Sequence, residues 1–384
     1  MSDQKHILMI RSNSVNPDPR VEKEADSLIE AGYKVDVFCW DRSADHRMTS
    51  DLKKLSHGAI HIYRIGIKAS FGAGFKKNLI PLMKFQFEIL KFIQTHYRKY
   101  SLLHVCDFDT ALAGYIGSRG KRLKLVYDIF DYYADAFGVP NTLKKLVIGL
   151  DTFIINHADG VIICSEQRKT QLRNAKPRRL SVIHNSPSSV IKLIEGDCKT
   201  HYGNLRIAYI GILNDGRLIP ELLEIVSRHS EYELHIAGFG KYERLCAEYA
   251  ECSDNIIYYG RTEYAQTLEI ESKCDVMIAA YDPSISNHRY AAPNKFYEAL
   301  MLGKPIIMCE GTGFADVVKD NEIGVCIAYS EESLANGLEY LNNNLERFQR
   351  KKEFERELYD RRYSWDIMSE RLKSLYCDIL KCKL

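Results

Sequence analysis

Two ionisable side chains three residues apart carry the sharpest chemical signal in the chain. In Ala292-Pro293-Asn294-Lys295-Phe296-Tyr297-Glu298-Ala299-Leu300, a short loop leads into a helical span, followed by a tight turn at Gly303 and a buried strand, Ile306–Cys309. Lys295 and Glu298 share one side of the first helical turn at this spacing. A cation and an anion at a helix N-terminus suit a ligand with a polyanionic part and a polyol part. A second cation stands in a comparable place. The run Ile210-Gly211-Ile212-Leu213-Asn214-Asp215-Gly216-Arg217 follows an apolar strand and precedes a helix. Gly211 permits close backbone approach there, and Arg217 presents five donors to a phosphate.

Those loops must be held by strands. In the first half, short apolar runs (Ile7–Ile10, Val35–Cys39, Ile60–Ile65, Leu102–Cys106, Leu125–Tyr127, Gly160–Cys164 and Leu180–Ile183) alternate with helical patterns at Pro19–Ala31, Leu79–Tyr97, Asp109–Ser118, Leu143–Ala158 and Glu166–Asn174. Such alternation predicts a mostly parallel sheet covered on both faces. Ser186–Asn204, with Pro187, Gly196 and Gly203, reads as a linker. The pattern then restarts, with strands at Arg206–Ile210, Glu233–Ala237, Ile256–Tyr259, Asp275–Ala280, Pro305–Cys309 and Gly324–Ala328 and helices at Ile219–His229, Tyr242–Ala250 and Pro293–Met301. The expected division is 1–190, 201–355 and a C-terminal pair of helices over 356–384. Leu338–Tyr359 reads as one charged helical segment with an apolar stripe, and Asp366–Leu380 as a final helix.

Bulk properties narrow the function. The 384 residues suffice for two cores. A net charge of +2 argues against a nucleic-acid partner. The eleven cysteines contain no CxxC pair, and several lie in apolar runs, so they read as reduced thiols of a cytoplasmic protein. No secretion leader and no membrane span is expected. The loop after the first strand lacks the glycines of a hydride-transfer dinucleotide site.

Together, the Pro293-x-Lys295-x-x-Glu298 helix and the loops before it resemble the retaining glycosyltransferases of family 4 (group 1). The resemblance spans both halves. It implies an α/β GT-B fold, with two Rossmann-like domains facing each other across a cleft and a C-terminal helix crossing back from Ser364-Trp365. It further implies a nucleotide-sugar donor, UDP-sugars being favoured over GDP-sugars, no permanently bound cofactor and no metal. Lys295 and Arg217 would stabilise the leaving diphosphate and Glu298 would hold the ribose. Ala237-Gly238-Phe239-Gly240 is similar to the family's Gly-x-Gly element, where small residues make room for the nucleotide. Arg261 lies where the family's backbone meets the base, and Glu310-Gly311-Thr312-Gly313 resembles an edge touching diphosphate or sugar. Asn214 belongs to the first donor loop.

For the acceptor half, Leu102-Leu103-His104-Val105-Cys106-Asp107 and Tyr127-Asp128-Ile129-Phe130-Asp131 match the family's strand-end segments. Asp107 and Asp131 are the candidate polar contacts, with Asp128 as an alternate to Asp131. Arg20, in the first polar loop, can reach an anion. The chain departs from the family at Tyr290, where relatives carry a Glu, and at Cys106 and Phe130, where they carry His. No catalytic His is therefore assigned. The alternatives are a nucleotide-sugar-binding scaffold and a sugar-nucleotide epimerase or hydrolase.

One charge asymmetry stands apart. Lys53 to Lys99 holds ten Lys or Arg and a single acid, Glu88. Within 71–99, Lys76, Lys77, Lys84, Lys91, Arg98 and Lys99 interleave with Phe75, Leu79, Leu82, Met83, Phe85, Phe87 and Phe92. This predicts a helix that can rest on an anionic leaflet at the inner face of the membrane or approach a lipid-linked acceptor. The expected acceptor is a glycan or a lipid-linked glycan, as in polysaccharide or glycoconjugate biosynthesis.

Overall fold

A computed structural model of the chain describes residues 4–70, 74–136, 139–172, 174–187 and 203–381; of 74–76 only the backbone is described. Phe71 and the side chains of Phe75 and Lys76, and most of the expected linker, lie outside that set. The chain separates into two compact units, Met1–Asn185 with Met368–Leu384, and Ser186–Ile367.

The first unit holds β1 (His6–Arg11), β2 (Lys34–Asp41), β3 (His46–Lys54), β4 (Ala59–Gly66), β5 (Leu102–Cys106), β6 (Lys124–Ile129), β7 (Gly160–Ile163) and β8 (Leu180–Val182). Their order is β3-β4-β2-β1-β5-β6-β7-β8. Every pairing is parallel except β3 with β4. Its helices are α1 (Pro19–Glu30), α2 (Gly74–His96), α3 (Phe108–Ser118), α4 (Tyr133–Ala136) and α5 (Asn141–His157). Central strands are buried on both faces, as their unbroken apolar runs require. At the start of α1, Asp18 accepts from the Val21 amide, with Pro19 in the first turn. The antiparallel β3 was not foreseen. It is a polar, exposed edge strand and carries no burial pattern to read.

The second unit has β9 (Leu205–Ile212), β10 (Tyr232–Phe239), β11 (Ile256–Tyr258), β12 (Val276–Ala279), β13 (Ile306–Cys309) and β14 (Gly324–Ile327), ordered β11-β10-β9-β12-β13-β14 and all parallel. Its helices are α6 (Ile219–Arg228), α7 (Glu243–Cys252), α8 (Tyr264–Lys273), α9 (Asn294–Leu302), α10 (Ala315–Asn321), α11 (Glu331–Asn343), α12 (Leu345–Gln349) and α13 (Lys352–Arg362). The charged segment expected as one helix is thus three. In this order the chain passes outward from β9 in both directions, with the switch between β9 and β12, where open α/β sheets bind ligands. Gly303, at φ 64, ends α9 in the left-handed conformation and turns the chain into β13.

The last helix, α14 (Trp365–Leu380), belongs to the first unit from Met368 onward. The Tyr376 hydroxyl lies 2.5 Å from His104 Nδ1, Lys373 pairs with Glu30 at 2.8 Å, and Arg371 donates to the Val182 carbonyl at 3.1 Å.

Candidate functional site

A cavity of about 410 Å³ opens at the carboxyl ends of β9, β10 and β12. Gly211 and Gly238 near the ends of β9 and β10, Arg217 and Arg261 from the loops after β9 and β11, and Lys295 and Glu298 from α9 line it together. The sequence placed these six in four separate segments, and the sheet register unites them.

Glycine is required where the two strand ends touch. Gly238 has φ 141, and a Cβ there would stand 1.7 Å from the Gly211 carbonyl oxygen; a Cβ on Gly211 would stand 2.7 Å from Lys295 Nζ. The backbone is therefore open where the cation enters.

Lys295 is 6% and Glu298 3% exposed. An ammonium this buried needs compensation. Its Nζ lies 4.6 Å from the centre of the Tyr209 ring. Burial opposes its charge, but Tyr281, Tyr209 and Glu298 hold its pKa above the ordinary lysine value. The Arg217 guanidinium lies 4.2 Å from the centre of the Tyr281 ring, and its Nε is a buried donor with no hydrogen-bond partner among the described residues. Burial raises the Tyr281 phenol; Lys295 and Arg217 outweigh that and draw it below its usual value. Two cations thus meet at one phenol, a local excess of positive charge suited to a polyanion.

Glu298 lines the cavity with Tyr264, whose phenol pKa is raised by burial and then by the Glu298 charge. Behind it, Glu271 of α8 is fully buried, and burial followed by Glu298 raises its pKa far above the carboxylate range, so it carries a proton. Arg261 covers the exposed ring of Phe239 at 4.2 Å.

Four expected donor residues are not in the cavity lining. Asn214 accepts from the Lys241 amide at 2.8 Å, and Gly240 packs so that a Cβ would lie 2.5 Å from Asn214 Oδ1. These two shape the neighbouring turn. Thr312 is buried and donates its hydroxyl to the Cys309 carbonyl at 2.6 Å. Gly311, at φ 71, turns the chain beside Pro283. Tyr209, Tyr264, Tyr281 and Glu271 were missed. Tyr209 within β9 and Tyr281 just after β12, each beside a basic loop, were the available signal.

In the first unit, Asp107 and Asp131 lie at the carboxyl ends of β5 and β6. Asp107 is buried, pairs with Arg11 at 2.5 Å, and accepts from the amides of Phe130 and Asp131 at 2.9 and 3.2 Å. Burial raises its pKa and Arg11 opposes the shift. Its backbone, φ 63 and ψ 165, occupies a region nearly reserved for glycine, and strain of that kind collects at functional sites. Asp131 keeps 42% of its side chain exposed and pairs with Arg168 at 2.6 Å. Phe130 is flanked by the guanidiniums of Arg11 and Arg20, 4.1 and 4.5 Å from its ring centre.

Two expectations change here. Arg20 is buried and bound to Asp128 and Glu24 at 2.9 and 3.1 Å, so it is committed inside the unit instead of reaching an outside anion. Asp128 is fully buried in the same network and is unsuited to an acceptor hydroxyl. Glu24, His104 and Asp128 bring ligand atoms within 4.8 Å of one another, and the Arg20 guanidinium already serves both carboxylates.

Comparison with known proteins gives the family. Residues 204–357 match the family described as Glycosyl transferases group 1, and residues 20–186 match Glycosyltransferase Family 4. The chain belongs to the family 4 glycosyltransferases. Among curated proteins no sequence matches it. Solved structures share its fold. Sucrose-phosphate synthase from Thermosynechococcus elongatus aligns at TM-score 0.74 with 17% identity over 98% of this chain and 100% of that one. Anabaena Alr3699/HepE in complex with UDP-glucose aligns at 0.67 with 14% identity, covering 97% and 99%. An E. coli trehalose-6-phosphate structure bound with UDP-2-fluoro glucose aligns at 0.70 with 9% identity, covering 98% and 99%. The fold is the GT-B fold of these glycosyltransferases. Among the described residues, no helix of this glycosyltransferase is long and apolar enough to cross a membrane.

Proposed function

We propose that this glycosyltransferase takes a sugar from a nucleotide-sugar donor, UDP-sugars favoured over GDP-sugars, and transfers it with retention of anomeric configuration. The acceptor is a glycan or lipid-linked glycan, in polysaccharide or glycoconjugate biosynthesis in the cytoplasm. The observation that carries the reading is the shared cavity of Lys295, Arg217 and Glu298.

Lys295 and Arg217 neutralise the diphosphate as it leaves; preorganised cations act most strongly on charge that develops during reaction. Glu298 accepts from the ribose hydroxyls through charge-assisted bonds, with Glu271 neutral behind it. The bare backbone at Gly211 and Gly238 leaves space for phosphate oxygens. Arg261 and Phe239 offer a flat edge to the base. Asp131 contacts the acceptor hydroxyl, and Asp107, tied to Arg11, sets the loop that carries Asp131. The departing phosphate takes the acceptor proton, so the scheme needs no histidine.

The two family matches and the solved structures of the same fold, whose printed ligands include UDP and UDP-glucose, support the reading. The test is incubation of purified protein with UDP-, GDP- and ADP-sugars, with and without a membrane extract as acceptor. Glycosyl transfer that needs the acceptor, and a product of unchanged anomeric configuration by NMR, are expected. Nucleotide release without acceptor indicates a hydrolase, and binding without turnover indicates a scaffold; either result overturns the transferase reading.

A further inference from the structure

Three crossover helices of the first unit stand side by side, with α3 in the middle. The α2 residue Gln86 donates to the Asp109 carbonyl and accepts from the Ala113 amide at 3.2 Å, while Tyr115 of α3 meets Phe153 of α5 edge-on at 5.3 Å. Their inner faces supply Phe85, Ile89, Ile93, Ala113 and Ile154 to the core. Their outer faces are unusual. Ile80, Met83 and Phe87 of α2 are 71%, 62% and 64% exposed, and Ile116 of α3 with Leu146 and Phe153 of α5 are 51%, 60% and 44% exposed. The spacing of Ile80, Met83 and Phe87 puts them on one stripe, as does that of Leu146 and Phe153. Apolar residues concentrated on neighbouring elements in this way mark an interaction surface.

The charge around them selects the partner. Lys77, Lys84 and Lys91 on α2, Arg119 just past α3 and Lys145 on α5 are exposed. Of the acids on these helices, Asp109 and Asp151 are buried, and Glu88 is half-buried with Lys91 3.6 Å away. An apolar stripe framed by lysines complements an anionic bilayer, where side chains enter the acyl boundary and ammonium groups meet phosphates. A second copy of the same face would oppose lysine to lysine.

We infer that the outer faces of α2, α3 and α5 form one docking surface for an anionic lipid bilayer. This extends the helix-71–99 expectation to a three-helix surface that includes α5, a segment with no membrane signal of its own in the sequence. The helices follow parallel strands, so their N-terminal halves adjoin the strand ends that carry Asp107 and Asp131. Docked there, the unit presents its acceptor edge beside the lipid phosphates. That link to a lipid-linked acceptor rests on the transferase reading; the docking itself does not.

Flotation with vesicles therefore uses the whole protein without donor or turnover. Wild type is expected to float with mixed phosphatidylglycerol–phosphatidylcholine vesicles, and not with phosphatidylcholine alone. Replacing Ile80, Met83 and Phe87 together by Ser is expected to lower vesicle affinity more than tenfold. Leu146→Ser with Phe153→Ser is expected to do so separately, and Lys84→Gln to cost about fivefold. Unchanged thermal melts and UDP affinity show the variants folded. No wild-type binding to anionic vesicles, or equal binding by the triple variant, overturns the inference. So does a wild-type dimer that the triple variant abolishes, or capture of an acidic protein in preference to lipid. Vesicle binding by a protein that shows no glycosyl transfer in the separate incubation with nucleotide sugars and membrane extract would leave the surface standing and remove the transferase reading.

Discussion

The guanidinium of Arg217 lies over the ring of Tyr281, 4.2 Å from its centre, and its charge helps draw the phenol below its usual pKa. The tyrosine thus holds one cation by its face while the charge of Lys295 acts on the same phenol. Tyr281→Phe keeps the face and removes the hydroxyl. Because the contact is made by the face, the loss expected is less than about 0.5 kcal/mol of nucleotide binding, below the worth of one cation–ring contact. Tyr281→Leu removes both and is expected to weaken binding further. Calorimetry with UDP checks the order. Equal affinities for wild type and Leu variant would show that Tyr281 does not position Arg217.

Lys295→Ala removes the buried cation. If its ammonium stabilises the departing diphosphate, the change costs about 2–4 kcal/mol in the transition state, a fall of about one and a half to three orders of magnitude in kcat. Binding of the product nucleotide should weaken less than the rate falls, because charge on the bridging oxygen grows only as the sugar leaves. Single-turnover rates with saturating donor measure this. A wild-type rate in the variant would exclude Lys295 from the chemistry.

Glu298 offers a test through the ligand as well as the protein. Glu298→Ala should weaken donor binding by about 1.5–3 kcal/mol, the range for hydrogen bonds to a charged group. A donor with a 2′-deoxyribose should weaken wild type too. If the carboxylate and the hydroxyl meet, the two losses will not add, because the second removes an interaction already gone. Additive losses would place the ribose elsewhere.

Much of this arrangement was legible because it is local. Lys295 and Glu298 share a helical turn, Gly303 ends it, and apolar strands alternate with helices. Pairings across the sheet were not legible. Tyr281 follows β12 and Arg217 follows β9, and only the parallel register of those strands brings them together. Helix α8 escaped notice because few of its residues are buried, yet it supplies Tyr264 and Glu271 to the site. Arg20 misled for the opposite reason. A basic residue beside a polar loop looks available, and nothing in the neighbouring sequence reveals that Asp128, on a distant strand, meets it in the interior. The acidic residues of the first unit divide in the same way, Asp131 outside and Asp128 within.

A last prediction concerns the packing of α13 rather than the cavity. Glu355 is fully buried, and neither carboxylate oxygen has a hydrogen-bond partner among the described residues. Burial pushes its pKa up to about 9, against the pull of Lys351 and Lys304. In the unfolded chain the group titrates near about 4.3. The folded state therefore holds a proton that the unfolded state releases, and stability falls as pH rises from the unfolded value toward about 9, then levels off. Glu355→Gln keeps the shape and cannot ionise. Its melting temperature should match wild type near pH 4 and exceed it increasingly toward pH 8, each unit of pH in that interval being worth up to about 1.4 kcal/mol. Thermal melts across that range check the slope. A Gln variant that is destabilised equally at both ends would mean that the carboxyl group is ionised and paired in the fold, which overturns the prediction.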